Sequence, residues 1–170
     1  VRDLTRRFSL AAVAFLLLST AAAAQRRSTM SQGSRPLLGP HGGFATNDFD
    51  AFVGAQFAYP VANQFDIYPS FDIFFPGNNV TAWALNADVR YWPKLNMANP
   101  GLYVGAGLDY THASVDLGPP FGSVSNSDVG LGLLGGWDFK TATIRPFVQL
   151  RLVIGDADRL EFGGGINFKL

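Results

Sequence analysis

Hydrophobic residues recur at every second position over most of the chain beyond residue 48. In the last eleven residues Leu160, Phe162, Gly164, Ile166, Phe168 and Leu170 fall on one face, and Glu161, Gly163, Gly165, Asn167 and Lys169 on the other. A period of two with one greasy side is the signature of a half-apolar strand. The clearest segment sets Thr81, Trp83, Leu85, Ala87, Val89 and Tyr91 against Ala82, Ala84, Asn86, Asp88, Arg90 and Trp92. Five more segments alternate in the same way: Ala51 to Tyr59, Phe65 to Phe75, Leu102 to Tyr110, Val129 to Phe139 and Ile144 to Ile154. Pro60 is expected to end the first of these. Pro69 and Pro146 interrupt two others, because proline withholds a ladder donor.

Turn-like pieces separate the strands at Pro76 to Asn79, Pro93 to Gly101, Asp116 to Ser127, Lys140 to Thr143 and Gly155 to Arg159. Such connections make sequence neighbours antiparallel hairpins. The stretch 116–127 is the longest expected external loop. Seven strands are an awkward number, since bacterial barrels have an even count and their last strand ends at the periplasmic rim. The pattern therefore calls for an eighth strand between Arg26 and Phe44. The fold expected is all-β, an antiparallel up-and-down transmembrane β-barrel of eight strands, over residues 48–170. Residues 25–47, rich in Arg, Ser, Gly and Pro, read as a linker or weak first strand.

The opening residues change the compartment. Arg2, Arg6 and Arg7 form a basic start, Ser9 to Ala24 carries no charge, and Ala22, Ala23 and Ala24 fit a small-residue cleavage rule. Residues 1–24 thus read as a secretory signal peptide, shorter than a retained bilayer-spanning helix requires. There is no cysteine, so neither a disulfide nor a lipid-bearing cysteine is available. With 13 basic and 13 acidic residues the chain has no electrostatic case for binding nucleic acid.

Alternation alone would also serve a soluble barrel with its apolar face inside. The polar face decides against that reading: it is dominated by Gly and Ala with isolated charges, where a wetted exterior would carry many Lys, Glu, Thr and Ser. Gly54, Gly105, Gly107, Gly130, Gly132, Gly136, Gly163 and Gly165 suit a crowded lumen, leaving room for bulky partners. The lumen is then expected to collect Asp66, Asp72, Asp88, Asp109, Asp138 and Glu161 with Arg90, Arg145, Arg151, Lys140 and Lys169. Of these, Asp72, Asp88, Arg90, Asp109, Asp138, Arg145, Arg151 and Glu161 form the candidate charge network, while Lys140 and Lys169 lie near strand ends where they can snorkel into water. Tyr59, Trp83, Tyr91, Tyr110, Trp137, Phe139, Phe162 and Phe168 are the candidate lipid-facing girdle. Trp83 and Tyr91 lie about 27 Å apart along a strand, or about 20 Å of membrane depth after tilt, which suits two aromatic belts.

Motifs with chemical potential have duller readings. Gly130, Gly132 and Gly135 spell G-x-G-x-x-G with Asp156 downstream, but no helix follows to hold a pyrophosphate. His112, Ser114 and Asp116 share one face, yet same-face neighbours on a strand are about 6.6 Å apart and these residues fall where a loop is expected. Two histidines without cysteine give no metal spacing. Arg26, Arg27 and Arg35 read as a basic leader. No catalytic residue, cofactor or metal is expected.

The motifs Tyr103-Val104-Gly105-Ala106-Gly107-Leu108, Arg145-Pro146-Phe147-Val148-Gln149-Leu150-Arg151 and Phe162-Gly163-Gly164-Gly165-Ile166-Asn167-Phe168 resemble those of the small outer-membrane β-barrel domain family, which includes opacity-like and surface-antigen proteins. The resemblance spans the chain beyond the signal. It implies eight antiparallel strands and insertion by the barrel-assembly machinery, which reads the last strand. Many such chains end in an aromatic residue, whereas this one ends in Leu170 with Phe168 two places earlier. It offers no catalytic residue. The expectation is a monomeric barrel of the bacterial outer membrane, in contact with outer-membrane lipid, with a structural or surface-interaction role. The alternative is a narrow channel for small or apolar solutes.

Overall fold

The computed structural model describes residues 35–47, 49–77, 80–95, 101–117, 120, 122–139 and 144–170. The signal peptide at 1–24, the leader arginines 26 and 27, and Lys140 lie outside the described residues. Eight strands follow one another: β1 (Leu37–Ala45), β2 (Asp50–Ala62), β3 (Phe65–Phe74), β4 (Val80–Tyr91), β5 (Leu102–Asp116), β6 (Ser123–Asp138), β7 (Ile144–Ile154) and β8 (Arg159–Lys169). Each pairs with its sequence neighbours, and β1 pairs with β8, so the sheet closes on itself. Every pairing is antiparallel. The strand called for between Arg26 and Phe44 is β1, one residue longer at its end.

Alternation sets the facing of every strand. In β4, Leu85, Val89 and Tyr91 point out and are exposed, while Ala84, Asn86, Asp88 and Arg90 point in and are buried. The same phase holds from strand to strand because directly paired residues lie on one face: Asp66 meets Arg90, and Leu85 meets Tyr110. Two glycines show why the inward face is so rich in them. A Cβ at Gly136 would meet the Tyr103 ring carbon Cζ at 2.5 Å, and one at Gly107 would meet Asp88 Oδ1 at 2.5 Å. Their missing side chains are the space those two neighbours occupy.

The four strand prolines share one explanation. Pro69 has a partner in β4 (Ala87), but the β2–β3 register skips it. Pro40 pairs with Ala55 of β2, while the β1–β8 register omits Gly39 and Pro40. Pro146 pairs with Ile166 of β8 beyond the last β6–β7 pair, Asp138 with Phe147. Pro60 sits beyond the end of β1 pairing and at a register shift in the β2–β3 ladder. Each proline thus stands where one side of its strand carries no ladder pair, so its missing N–H costs little. For that reason β2 runs through Pro60 to Ala62 instead of stopping there.

The stretch 116–127 is strand at both ends and not one long loop. β5 continues through His112 and Ser114 to Asp116, and β6 starts at Ser123, so the connection shrinks to 117–122. Backbone pairing runs unbroken from Leu102 with Trp137 to Asp116 with Ser123. This hairpin outgrows its neighbour: β6 meets β7 only from Leu131 onward. The closing seam is poor in side chains. There His41, Gly42 and Gly43 face Gly165, Gly164 and Gly163.

Candidate functional site: a filled lumen

Inward-pointing charges meet in tiers down the barrel axis. Nearest the 155–158 turn, Arg159 donates to Asp109 Oδ2 at 2.6 Å, Glu161 Oε1 at 2.6 Å and Thr111 Oγ1 at 2.8 Å. Its guanidinium lies 5.0 Å from the Phe74 ring centroid and 5.1 Å from that of Phe49. In the next tier Arg151 is ion-paired to Asp88, donates to Asn86 Oδ1 at 2.9 Å and stands 3.7 Å from Glu161 Oε2. Asn86 in turn donates to Asp72 Oδ2 at 2.7 Å and Ser70 Oγ at 3.0 Å. His41 Nε2 lies 2.5 Å from Asp72 Oδ1.

The third tier is an aromatic cage. Arg90 makes two 2.8 Å bonds to Asp66, one to each carboxylate oxygen, the fork geometry that suits guanidinium best. Its flat face covers the Tyr68 ring at 3.7 Å, with Tyr103 at 4.8 Å and Trp92 at 5.2 Å. Trp92 Nε1 donates to Asp66 Oδ2 at 3.0 Å, and the Tyr103 hydroxyl donates to Gln149 Oε1 at 3.1 Å. Beside this tier Arg145 donates to Asp138 Oδ1 at 3.2 Å.

All eight residues of the expected charge network therefore point inward; seven are in ion pairs with Arg, Asp or Glu partners, and Asp72 meets His41 and Asn86. Lys169 is exposed at the rim, in keeping with snorkelling. Arg159, which the sequence reading placed in a turn, is 1% exposed and anchors a whole tier. Its signal was present: Arg159 and Glu161 are two apart and so share a face.

The cavity bordered by His41, Ser70, Asp72, Arg151 and Glu161 has a volume of about 10 Å³, room for about one water. The side chains of the three tiers stand around it, as expected for an eight-stranded barrel. Among the described residues no group of His, Cys, Asp or Glu could hold a metal ion.

Outside, the eight girdle candidates all stand on the outward phase of their strands. Tyr59, Tyr91, Tyr110, Phe139, Phe162 and Phe168 are exposed; Trp83 and Trp137 are half-buried, the Trp83 ring lying 5.6 Å from that of Tyr110 and 6.1 Å from that of Phe71. Trp83, Tyr110 and Phe162 belong to the end with the 117–122 connection, and the other five to the end holding the chain's last residue. His112 Nδ1 lies 2.8 Å from Ser127 Oγ, and its ring leans on Trp83 at 5.4 Å. Ser114 pairs with Ser125 across the hairpin. His112, Ser114 and Asp116 are thus strand residues registered opposite Ser127, Ser125 and Ser123, not a loop set.

A closed antiparallel barrel with charges inside and hydrocarbon-like side chains outside has close counterparts among solved structures. The N-terminal β-barrel domain of Pseudomonas aeruginosa OprF superposes with a TM-score of 0.59 at 13% identity, over 82% of this chain and 100% of that one. The fold is that of an eight-stranded outer-membrane barrel. Neisserial surface protein A superposes with a TM-score of 0.59 at 17% identity, over 79% of this chain and 96% of that one. No protein-family profile matches the sequence, and no curated protein does.

Proposed function

We propose that this chain is a monomeric barrel of the bacterial outer membrane whose work is structural or surface-interactive and not catalytic. The observation that carries the reading is the inversion of its two faces. Leu85, Val89, Val104, Leu108, Leu131, Leu150, Leu152 and Phe162 are all 42% exposed or more, while Arg90, Arg151, Arg159, Asp88 and Asp138 are at most 2% exposed. Soluble proteins do not leave so continuous an apolar surface in water. In a bilayer the same surface is satisfied, and the closed ladder meets the requirement that backbone groups bond internally. The girdle residues would then sit at the two lipid interfaces, and β8 would be the strand read by the assembly machinery.

The orientation follows from the last strand ending at the periplasmic rim. This puts the 46–49, 75–79, 117–122 and 155–158 connections outside. The buried ion pairs of Arg90, Arg151 and Arg159 across the lumen argue against the channel reading. Heat-modifiable gel migration and resistance to carbonate extraction test the proposal together. A chain that migrates identically with and without boiling, and leaves the membrane at high pH, is not this protein.

A further inference from the structure

Above the level at which β7 turns into β8, β6 continues with a partner on one side only. Its pairing with β5 reaches Ser123, but its pairing with β7 stops at Leu131 with Ile154. Asp128 is occupied differently, its Oδ2 accepting the Ala157 N–H at 2.8 Å. That leaves Ser123 to Ser127 as a free edge, and all five residues are exposed. In an antiparallel strand alternate N–H and C=O groups point to each side, so half of those along this stretch face solvent. Proteins discourage pairing at such an edge with Lys, Pro or a bulge. Ser123-Val124-Ser125-Asn126-Ser127 contains neither residue, and its register with β5 has no bulge.

Charge at this end says what could pair there. None of the connections 46–49, 75–79, 117–122 and 155–158 contains Lys or Arg, while the described residues of this end carry Asp50, Asp116, Asp128, Asp156 and Asp158. The base at this end among the described residues, Arg159, is buried in the lumen. The exposed bases Arg35, Lys94 and Lys169 all lie at the opposite end. An approaching strand therefore meets an uncharged edge framed by carboxylates.

We propose that the Ser123–Ser127 edge of β6 is a strand-addition site for an extended, positively charged segment of another polypeptide. Backbone hydrogen bonds would supply the affinity, Val124 would offer an apolar contact, and Asp116, Asp156 and Asp158 would select cationic flanks. A second copy of this chain is the wrong occupant, because edge-to-edge pairing would bring two sets of carboxylates together. The proposal rests on the outer-membrane reading, which puts this edge on the cell's outer side.

The test uses the full chain folded in detergent micelles and a short synthetic peptide of alternating Thr and Val with Lys at both ends. Two controls keep its length: one with Glu at both ends, one with Lys ends and N-methylated alternate amides. The Lys peptide is expected to bind and to shift the backbone-amide NMR signals of Ser123 to Ser127. N-methylation removes two or more hydrogen bonds and is expected to weaken binding by about tenfold or more, and Glu ends to abolish the amide shifts. The double variant D116N/D156N, which leaves the lumen untouched, is expected to bind the Lys peptide a few-fold more weakly. Equal binding of the N-methylated peptide would overturn the proposal, as would amide shifts elsewhere or no binding by any peptide. A dimer of the free protein that protects Ser123 to Ser127 would overturn it in favour of self-pairing. Heat-modifiable migration of the same sample reads the barrel separately, so loss of the membrane reading and loss of strand addition appear in different measurements.

Discussion

The barrel body and the β5–β6 overhang are made of the same strands yet obey different rules. In the body each strand has two neighbours, Arg90, Arg151 and Arg159 each hold a carboxylate, and side chains occupy the section. In the overhang β6 has one neighbour, and Ser123, Ser125, Asn126 and Ser127 stand in water. The difference teaches where stability and recognition are divided. Buried charge demands partners and fixes the body to one arrangement. The overhang, carrying few buried contacts, can change its sequence or its company without unfolding the barrel.

Substitutions should separate the two regions by size of effect. The largest is expected from Arg151→Ala, which strips Asp88 and Asn86 of their donor and leaves a buried carboxylate uncompensated. Breaking one partner of a buried pair costs about 3–5 kcal/mol, to be read from urea unfolding of the barrel in lipid vesicles. A loss below about 1 kcal/mol would mean that the lumen is wetter than its packing implies. Gly136→Val comes next, because a Cβ there collides with the Tyr103 ring and the Val148 carbonyl oxygen. It should cost about 1–3 kcal/mol as overpacking, with slower appearance of the heat-resistant form as the check.

A smaller effect is expected from Trp83→Ala. The ring belongs to the outer face and contacts Phe71, Tyr110 and His112, so about 1–2 kcal/mol should be lost from aromatic contacts and burial. Unfolding in vesicles of thinner lipid should narrow the gap between the variant and the parent chain. Smallest of all, Ser125→Ala in the overhang should stay within about 0.5 kcal/mol. If its unfolding midpoint moved as far as that of Arg151→Ala, the division between the two regions would collapse. In planar bilayers the parent chain should show no sustained conductance, since Arg90, Arg151 and Arg159, each held on a buried carboxylate, stand in the lumen. Open events of long duration would restore the channel reading.

How far the sequence could be read follows the same division. Where one face meets hydrocarbon and the other a packed lumen, polarity must alternate, so the facing of β2 to β8 and the inward placement of Asp88, Arg90, Arg145 and Arg151 were legible. β1 was faint because His41 is flanked by Gly39, Pro40, Gly42 and Gly43, which carry little polarity signal. The overhang was misread as a loop because both of its faces meet water. Nothing there forces alternation, and Ser, Asn and Gly look like turn residues. Arg159 was missed through its neighbours in Gly155-Asp156-Ala157-Asp158, which suggested that the turn extended one residue further.

The prolines and glycines of the β1–β8 closure have a mechanical consequence. With Gly39 and Pro40 skipped by the register and three further pairs made mostly of glycine, this line has little side-chain packing beside its backbone bonds. Any squeeze of the cross-section by surrounding lipid would be taken up there, as a shell of uniform thickness with one score mark flexes along the mark.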